Sequence, residues 1–205
     1  MSPTHATGRG ASRARPGRAT PLSPPERRAA IIAATIPLLR HHGPAVTSRQ
    51  IAEAAGVAEG TVFSVFDDKD SLIAAAVEAA LDPEPAIERL SSIDPELDLE
   101  DRLIEAVRIL QDHIAHIWQL LVAVGPAGHP TRPRTASNHA AARQVSALEP
   151  LFAPVAAELR QSTTDTARAL LALTLGCSHP AVVEHPMPPA QIVDLLLDGV
   201  RGARP

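Results

Sequence analysis

The sequence predicts an all-α protein in two parts, an N-terminal three-helix module and a larger C-terminal helical domain. Three observations carry that prediction. Apolar residues fill 45% of the 205 positions, but Ala and Leu dominate them, with three Phe, one Trp and no Tyr, and such a mixture favours helix over sheet. Apolar positions recur at spacings of three and four along most of the chain, and no segment shows the alternation of a convincing strand. The Pro and Gly residues cut the chain into pieces of helical length. No internal repeat is present, and the length suits one large domain or two small ones.

The elements follow in order. Residues 1–25 hold Arg9, Arg13, Arg15 and Arg18, five Pro and no acid. They lack apolar periodicity and read as a flexible basic arm. From Glu26 a helix carries Ala29, Ile32, Ala33, Ile36 and Leu39 on one face. Pro37 predicts a kink in it, and Gly43-Pro44 predicts its end. Thr47-Ser48-Arg49-Gln50 has the pattern of a capping box, and the short helix it opens should stop in a left-handed turn at Gly56. A second short helix is expected at about 58–66, with Val62 and Phe66 on one face. Asp68 then caps a helix through Leu81, with Lys69 in its first turn.

The division expected from these elements is a helix-turn-helix module over 26–70 and a helical domain over 71–205. In the latter, Pro83 and Pro85 punctuate a short helix ending near Leu90. Leu99–Val124 reads as one long helix with Leu103, Val107, Leu110, Ile114, Ile117 and Leu121 along a stripe. A Pro- and Gly-rich loop follows from Gly125 to Thr135. A helix at about 138–160 should be interrupted near Pro150 and Pro154, and two last helices occupy about 163–178 and 188–201.

Composition also narrows the function classes. A single Cys, Cys177, leaves no internal disulfide and no Cys-based zinc motif, which suits a reducing cytoplasm. No apolar run reaches the roughly 20 residues of a membrane span. Ala29–Leu39 follows Arg27-Arg28 like a signal-peptide core, yet it runs into Arg40-His41-His42 without a cleavage pattern, so a cytoplasmic protein is expected. The net charge of −4 is unevenly spread. Residues 1–70 carry nine basic and six acidic side chains, and residues 71–205 carry ten basic and seventeen acidic ones. A polyanionic partner for the N-terminal part is one reading of that split; chance fluctuation is the other.

Ala52, Gly56 and Val62 have helix-turn-helix spacing. A small residue lets the second helix cross closely, Gly makes the turn, and a branched side chain fills the wedge. A generic helical hairpin can share that spacing. The wider segment TSRQIAEAAGVAEGTVFSVFDDKDSL (47–72) closely resembles the DNA-binding module of the tetracycline-repressor-like (TetR) family of bacterial regulators. The resemblance covers residues 26–72 and extends loosely to the tail GCSHPAVVEHPMPPAQIVDLLLDGV, which looks like an actinobacterial branch of the family. The middle matches only in helical layout.

What the resemblance implies can be set against each residue. Lys69, the one Lys beside eighteen Arg, stands where the family contacts a DNA phosphate from the start of the fourth helix; offsetting Asp67, Asp68 and Asp70 is its plain alternative. Thr47 and Ser48 match a backbone-contacting helix start, and Thr61 matches a phosphate-contacting Thr. Phe63 replaces the usual Tyr, so it can offer only apolar contact, to a thymine methyl or a sugar. Ala58 replaces a common N-capping Ser and weakens the start of the recognition helix. Gly60 allows close backbone approach. Base reading falls to Arg49, whose fork suits guanine, to Glu59, which can accept from cytosine or simply complement the helix dipole, and to Ser64.

The same resemblance implies a homodimer on a pseudo-palindromic operator, acting as a ligand-responsive repressor. Leu110, Ile114, Trp118, Leu121 and Phe152 are the candidate lining of a pocket for a small, largely apolar effector. The dimer interface is expected on the last two helices, at Leu171, Leu175, Leu196 and Val200, with Leu196 or Val200 facing the second subunit. Control by a protein partner instead of a small ligand is the second reading. A small metal-dependent hydrolase is a remote third, prompted by His113 and His116 beside Asp112. No nucleophile motif, phosphate-binding glycine loop or bundle-spaced ligand set supports it. No cofactor and no enzymatic activity are expected.

Overall fold

The computed structural model describes residues 22–126 and 134–200. Most of the arm expected at 1–25, residues 127–133 of the loop after the long helix, and the side chains of Arg134, Thr135 and Val200 lie outside the described residues. Among those described, every regular element is helical.

Helix α1 (Pro24–His42) starts two residues before the apolar pattern does, because Ser23 forms a complete capping box with Glu26 and prolines occupy the first turn. A missing proline N–H is harmless there. Ile31, Thr35 and Leu39 are fully buried, while Ala29 and Ala33 are exposed. The buried stripe is thus turned from the expected one. Thr35 can lie at its centre because its hydroxyl donates to the Ile31 carbonyl at 2.7 Å, leaving no polar group unpaired. The helix continues through the exposed Pro37 to His42.

A 3-10 turn (Gly43–Ala45) leads into α2 (Ser48–Ala55), where Thr47 and Gln50 form the expected capping box. Gly56 closes α2 at φ 67°, ψ 30°, the left-handed conformation that costs Gly little. Helix α3 (Glu59–Val65) begins at Ala58 without a side-chain cap. Asp68 caps α4 (Lys69–Ala80). There follow α5 (Glu84–Ser91), α6 (Leu99–Val124), α7 (Arg134–Phe152), α8 (Thr163–Gly176) and α9 (Pro189–Val200). Helix α7 runs through Pro150 and gives way to a 3-10 segment at Ala153–Glu158, so Pro154 marks a change of helix type.

Two apolar cores result. Ile31, Leu39, Ile51, Val62 and Phe66 of the N-terminal helices pack with Leu72, Ile73, Ala76 and Val77 of α4. Leu103, Leu110, Leu148, Phe152, Leu170 and Ile192 centre the C-terminal core. Helix α6 belongs to both: its first half lies in the C-terminal core, and Leu120 and Val124 complete the N-terminal one. At 1.5 Å per residue it forms a rod of about 39 Å joining the two.

Candidate nucleic-acid interface

The N-terminal capping boxes, the Gly56 turn and the wedge residue Val62, 2% exposed, hold α2 and α3 as a compact pair. Thr47, Arg49, Glu59, Gly60, Phe63, Ser64 and Lys69 are all exposed around that pair, and Ser48 and Thr61 are half-buried. Sequence and structure therefore bring all nine candidate residues to one module.

Several of their polar groups are engaged within the module. Ser48 donates from Oγ to the Glu59 carboxylate, linking the first turns of α2 and α3. Arg49 Nε donates to Glu53 Oε1 at 3.0 Å, an exposed i,i+4 pair that contributes little to stability. Ser64 Oγ donates to the Thr61 carbonyl at 2.8 Å. The Lys69 ammonium donates to the Pro44 carbonyl at 2.7 Å, with the Val46 carbonyl at 3.5 Å. It therefore ties the first turn of α4 to the chain entering α2, a contact the sequence reading does not contain.

Two further residues escaped the sequence reading. Arg28 of α1 lies over the Phe66 ring, 4.2 Å from its centroid, and donates to the Val65 carbonyl at 3.3 Å. One guanidinium thus fixes the end of α3 through a ring contact and a carbonyl. Gly43 has φ 54°, and a Cβ placed on it would meet the Ala123 carbonyl oxygen at 2.7 Å. The end of α6 therefore presses directly on the turn preceding α2. A Gly before Pro looked only like a helix stop.

The expected pocket residues are divided between the two cores. Leu110 and Phe152 are fully buried in the C-terminal core, whereas Leu121 packs against the N-terminal one. Ile114 is buried, and the Trp118 ring meets the His179 ring edge-on at 4.3 Å between centroids. A stripe on a helix as long as α6 serves two cores in turn, so its members need not share a cavity. An open groove of about 470 Å³ lies instead between α7 and α8, with Val145 and Leu171 in it and Arg168 and Glu149 among its polar residues.

Of the expected dimer residues, Leu171 and Leu196 are buried in the chain's C-terminal core, where α9 packs against α6 and α8. Leu175 is exposed at the α7–α8 groove, and Leu195 is an exposed large side chain on α9, at 54%. Cys177 is the partly buried C-cap of α8. Burial, and secondarily His116, lowers the pKa of His113 below its ordinary value. Among the described residues no three His, Cys, Asp or Glu are grouped to hold a metal ion, and no helix is long and apolar enough to cross a membrane.

The described residues thus form a capped helix-turn-helix core joined by a long helix to a second helical core. Residues 31–76 match the family model of bacterial regulatory proteins of the tetR family. The N-terminal module is thus of TetR type, and the chain has the fold of the TetR-family regulators. A Mesorhizobium loti MAFF303099 protein described as a TetR-family transcriptional regulator superposes with a TM-score of 0.61 at 17% identity, over 89% of this chain and 100% of that one. A TetR transcriptional regulator from Streptomyces coelicolor gives 0.51 at 27% identity, over 86% and 99%. SmeT, the repressor of the Stenotrophomonas maltophilia multidrug efflux pump SmeDEF, gives 0.52 at 21% identity, over 85% and 90%, and has also been solved with triclosan. No curated protein sequence matches the chain.

Proposed function

We propose that the protein is a ligand-responsive transcriptional repressor that binds a pseudo-palindromic DNA operator as a homodimer. The observation that carries the reading is the α2–Gly56–α3 unit, capped at Thr47 and wedged by Val62, within a chain of TetR-regulator fold. Residues 26–70 act as the DNA-binding part and 71–205 as the effector and dimerisation part. Helix α3 lies in the major groove of each half-site, and Thr47, Ser48 and Lys69 approach the backbone. Placement in an actinobacterial branch rests on the C-terminal tail alone.

The repressor solved with triclosan supports a small apolar effector here. The α7–α8 groove, with Ala141, Ala142, Val145, Leu171 and Leu175 along it, is the place that fits one. Release then requires that ligand bind the DNA-free conformation more tightly, since equal affinity for both shifts nothing. Selection of duplexes from a random library by the full chain, followed by titration at several salt concentrations, tests the DNA reading. Enrichment of a two-fold-related sequence is the expected result. A chain that shows no preference over random duplex at about 0.1 M salt, where non-specific contacts are screened, is not such a regulator.

A further inference from the structure

The walls of the α7–α8 groove come from two consecutive helices joined through residues 153–162, and such neighbours run antiparallel. Glu149 and Thr164 therefore share the end next to that connection, while Asn138 and Leu175 lie at the other. Asn138 and Glu149, like Thr164 and Leu175, are eleven positions apart, which at 1.5 Å per residue makes the groove about 16 Å long. Between its ends lie Ala141, Ala142, Val145, Leu171 and Ala172. The groove is thus apolar along its length and carries a carboxylate at one end, where Ser146 and Thr164 add hydroxyl oxygens.

The charges around it do not cancel. Arg168 pairs with Asp165 of its own helix, an acid that Ser162 also holds, so its guanidinium is already neutralised. Arg143 of α7 faces the other way, into the cleft between α5 and α7, and pairs there with Glu84. Glu149 is half-buried, and among the described residues no hydrogen bond or ion pair reaches its carboxylate. A carboxylate partly withdrawn from water beside an apolar surface lacks both full hydration and a partner, and a cation with N–H donors supplies the partner. The surrounding domain favours the same sign. Residues 71–205 carry seventeen acidic and ten basic side chains, a field that draws cations and repels carboxylates. The volume of about 470 Å³ suits a small molecule.

We propose, on the reading that this groove is the effector site, that its ligand is an amphipathic amine, with a protonated ammonium held by Glu149 at one end and an apolar body lying along Ala142, Val145 and Ala172.

Three compounds that share one chain test the head group: octylamine, octan-1-ol and octanoate, titrated calorimetrically into the full chain at neutral pH without DNA. Octylamine should bind about tenfold more tightly than octanol, as a charge-assisted hydrogen bond at a half-exposed site gives, and octanoate should bind least. Glu149→Gln should bring octylamine down to the octanol level and leave octanol unchanged. Ala172→Trp, which fills the groove from an exposed position, should weaken all three. Neither residue belongs to a core, so helicity by circular dichroism should be unchanged in both variants. Equal affinity for octylamine and octanol, tighter binding of octanoate, no binding of any of the three, or an octylamine affinity that Glu149→Gln does not change overturns the assignment. Octylamine binding that disappears as sedimentation shows two copies assembling gives the groove to the second copy and overturns it as well. Repeating a duplex titration with octylamine present separates the two readings: octylamine that binds through Glu149 yet leaves duplex affinity unchanged refutes the effector role, while the amine site stands.

Discussion

Gly43→Ala isolates the contact between α6 and the helix-turn-helix module. Two effects oppose the new methyl group. The backbone at Gly43 has φ 54° and ψ −148°, a region essentially reserved for Gly, where other residues store about 1–3 kcal/mol. The added Cβ would also sit 2.7 Å from the Ala123 carbonyl oxygen, and a backbone atom cannot swing aside as a side-chain end can. Together the expected destabilisation is about 2–4 kcal/mol, or roughly 5–15 °C in Tm for a chain of this size. Gly56→Ala is the control. Gly56 also has positive φ, 67°, but nothing lies within 4 Å of its notional Cβ, so only the left-handed strain of about 1–2 kcal/mol applies. Thermal melts followed by far-ultraviolet circular dichroism should show a Tm loss for Gly43→Ala at least about twice that for Gly56→Ala. If Gly43→Ala melts no lower than Gly56→Ala, the end of α6 does not bear on the turn before α2, and the coupling drawn between the two cores is wrong.

Lys69→Ala separates two roles for one ammonium. If Lys69 meets a phosphate, affinity should fall for all sequences and the salt slope should flatten by about 1 per subunit; if it serves only to hold the Pro44 carbonyl, affinity falls while the slope stays. Leu195→Glu places a carboxylate on the exposed side of α9 and should yield a folded monomer with weak operator binding by sedimentation and titration. Leu196→Glu, buried among its own subunit's side chains, should instead lose helicity; a folded monomeric Leu196→Glu would move the dimer seam back to that residue.

The sequence was most legible where local chemistry decides structure. Thr47 with Gln50, Gly56, and Asp68 announce their turns and caps because the groups involved lie within a few residues of one another. The all-helical architecture, and the limits of the long helix at Leu99–Val124, were legible for the same reason. What could not be read is tertiary. The pairing of Arg28 with Phe66 and Val65 spans nearly forty positions, and Lys69 reaches back to Pro44, so neither leaves a periodic trace. Thr35 hides in the α1 core because its hydroxyl is satisfied within its own helix, which defeats a rule that counts only apolar types. Nor can apolar spacing tell a helix side that meets its own core from one that meets another subunit. Leu195 and Leu196 belong to the same broad apolar set, and only the packing of α9 on α6 and α8 separates the exposed one from the buried one.

The way the α6 stripe divides bears on function. Helix α6 looks like one amphipathic stripe, but its residues divide between two cores, and its last turn ends against Gly43. That turn lies just before Thr47 and Ser48, where α2 starts, and it is gripped from the other side by Lys69 at the start of α4. Both helices that reach from the C-terminal part into the N-terminal core therefore converge on three residues preceding α2. A displacement of either must be accommodated there, because Gly43 leaves less space than one methyl group, and packed interiors pass on shifts that they cannot absorb. On the proposed function, the residues best placed to couple an effector to DNA are those of the Gly43–Ala45 turn, not those that would touch either ligand.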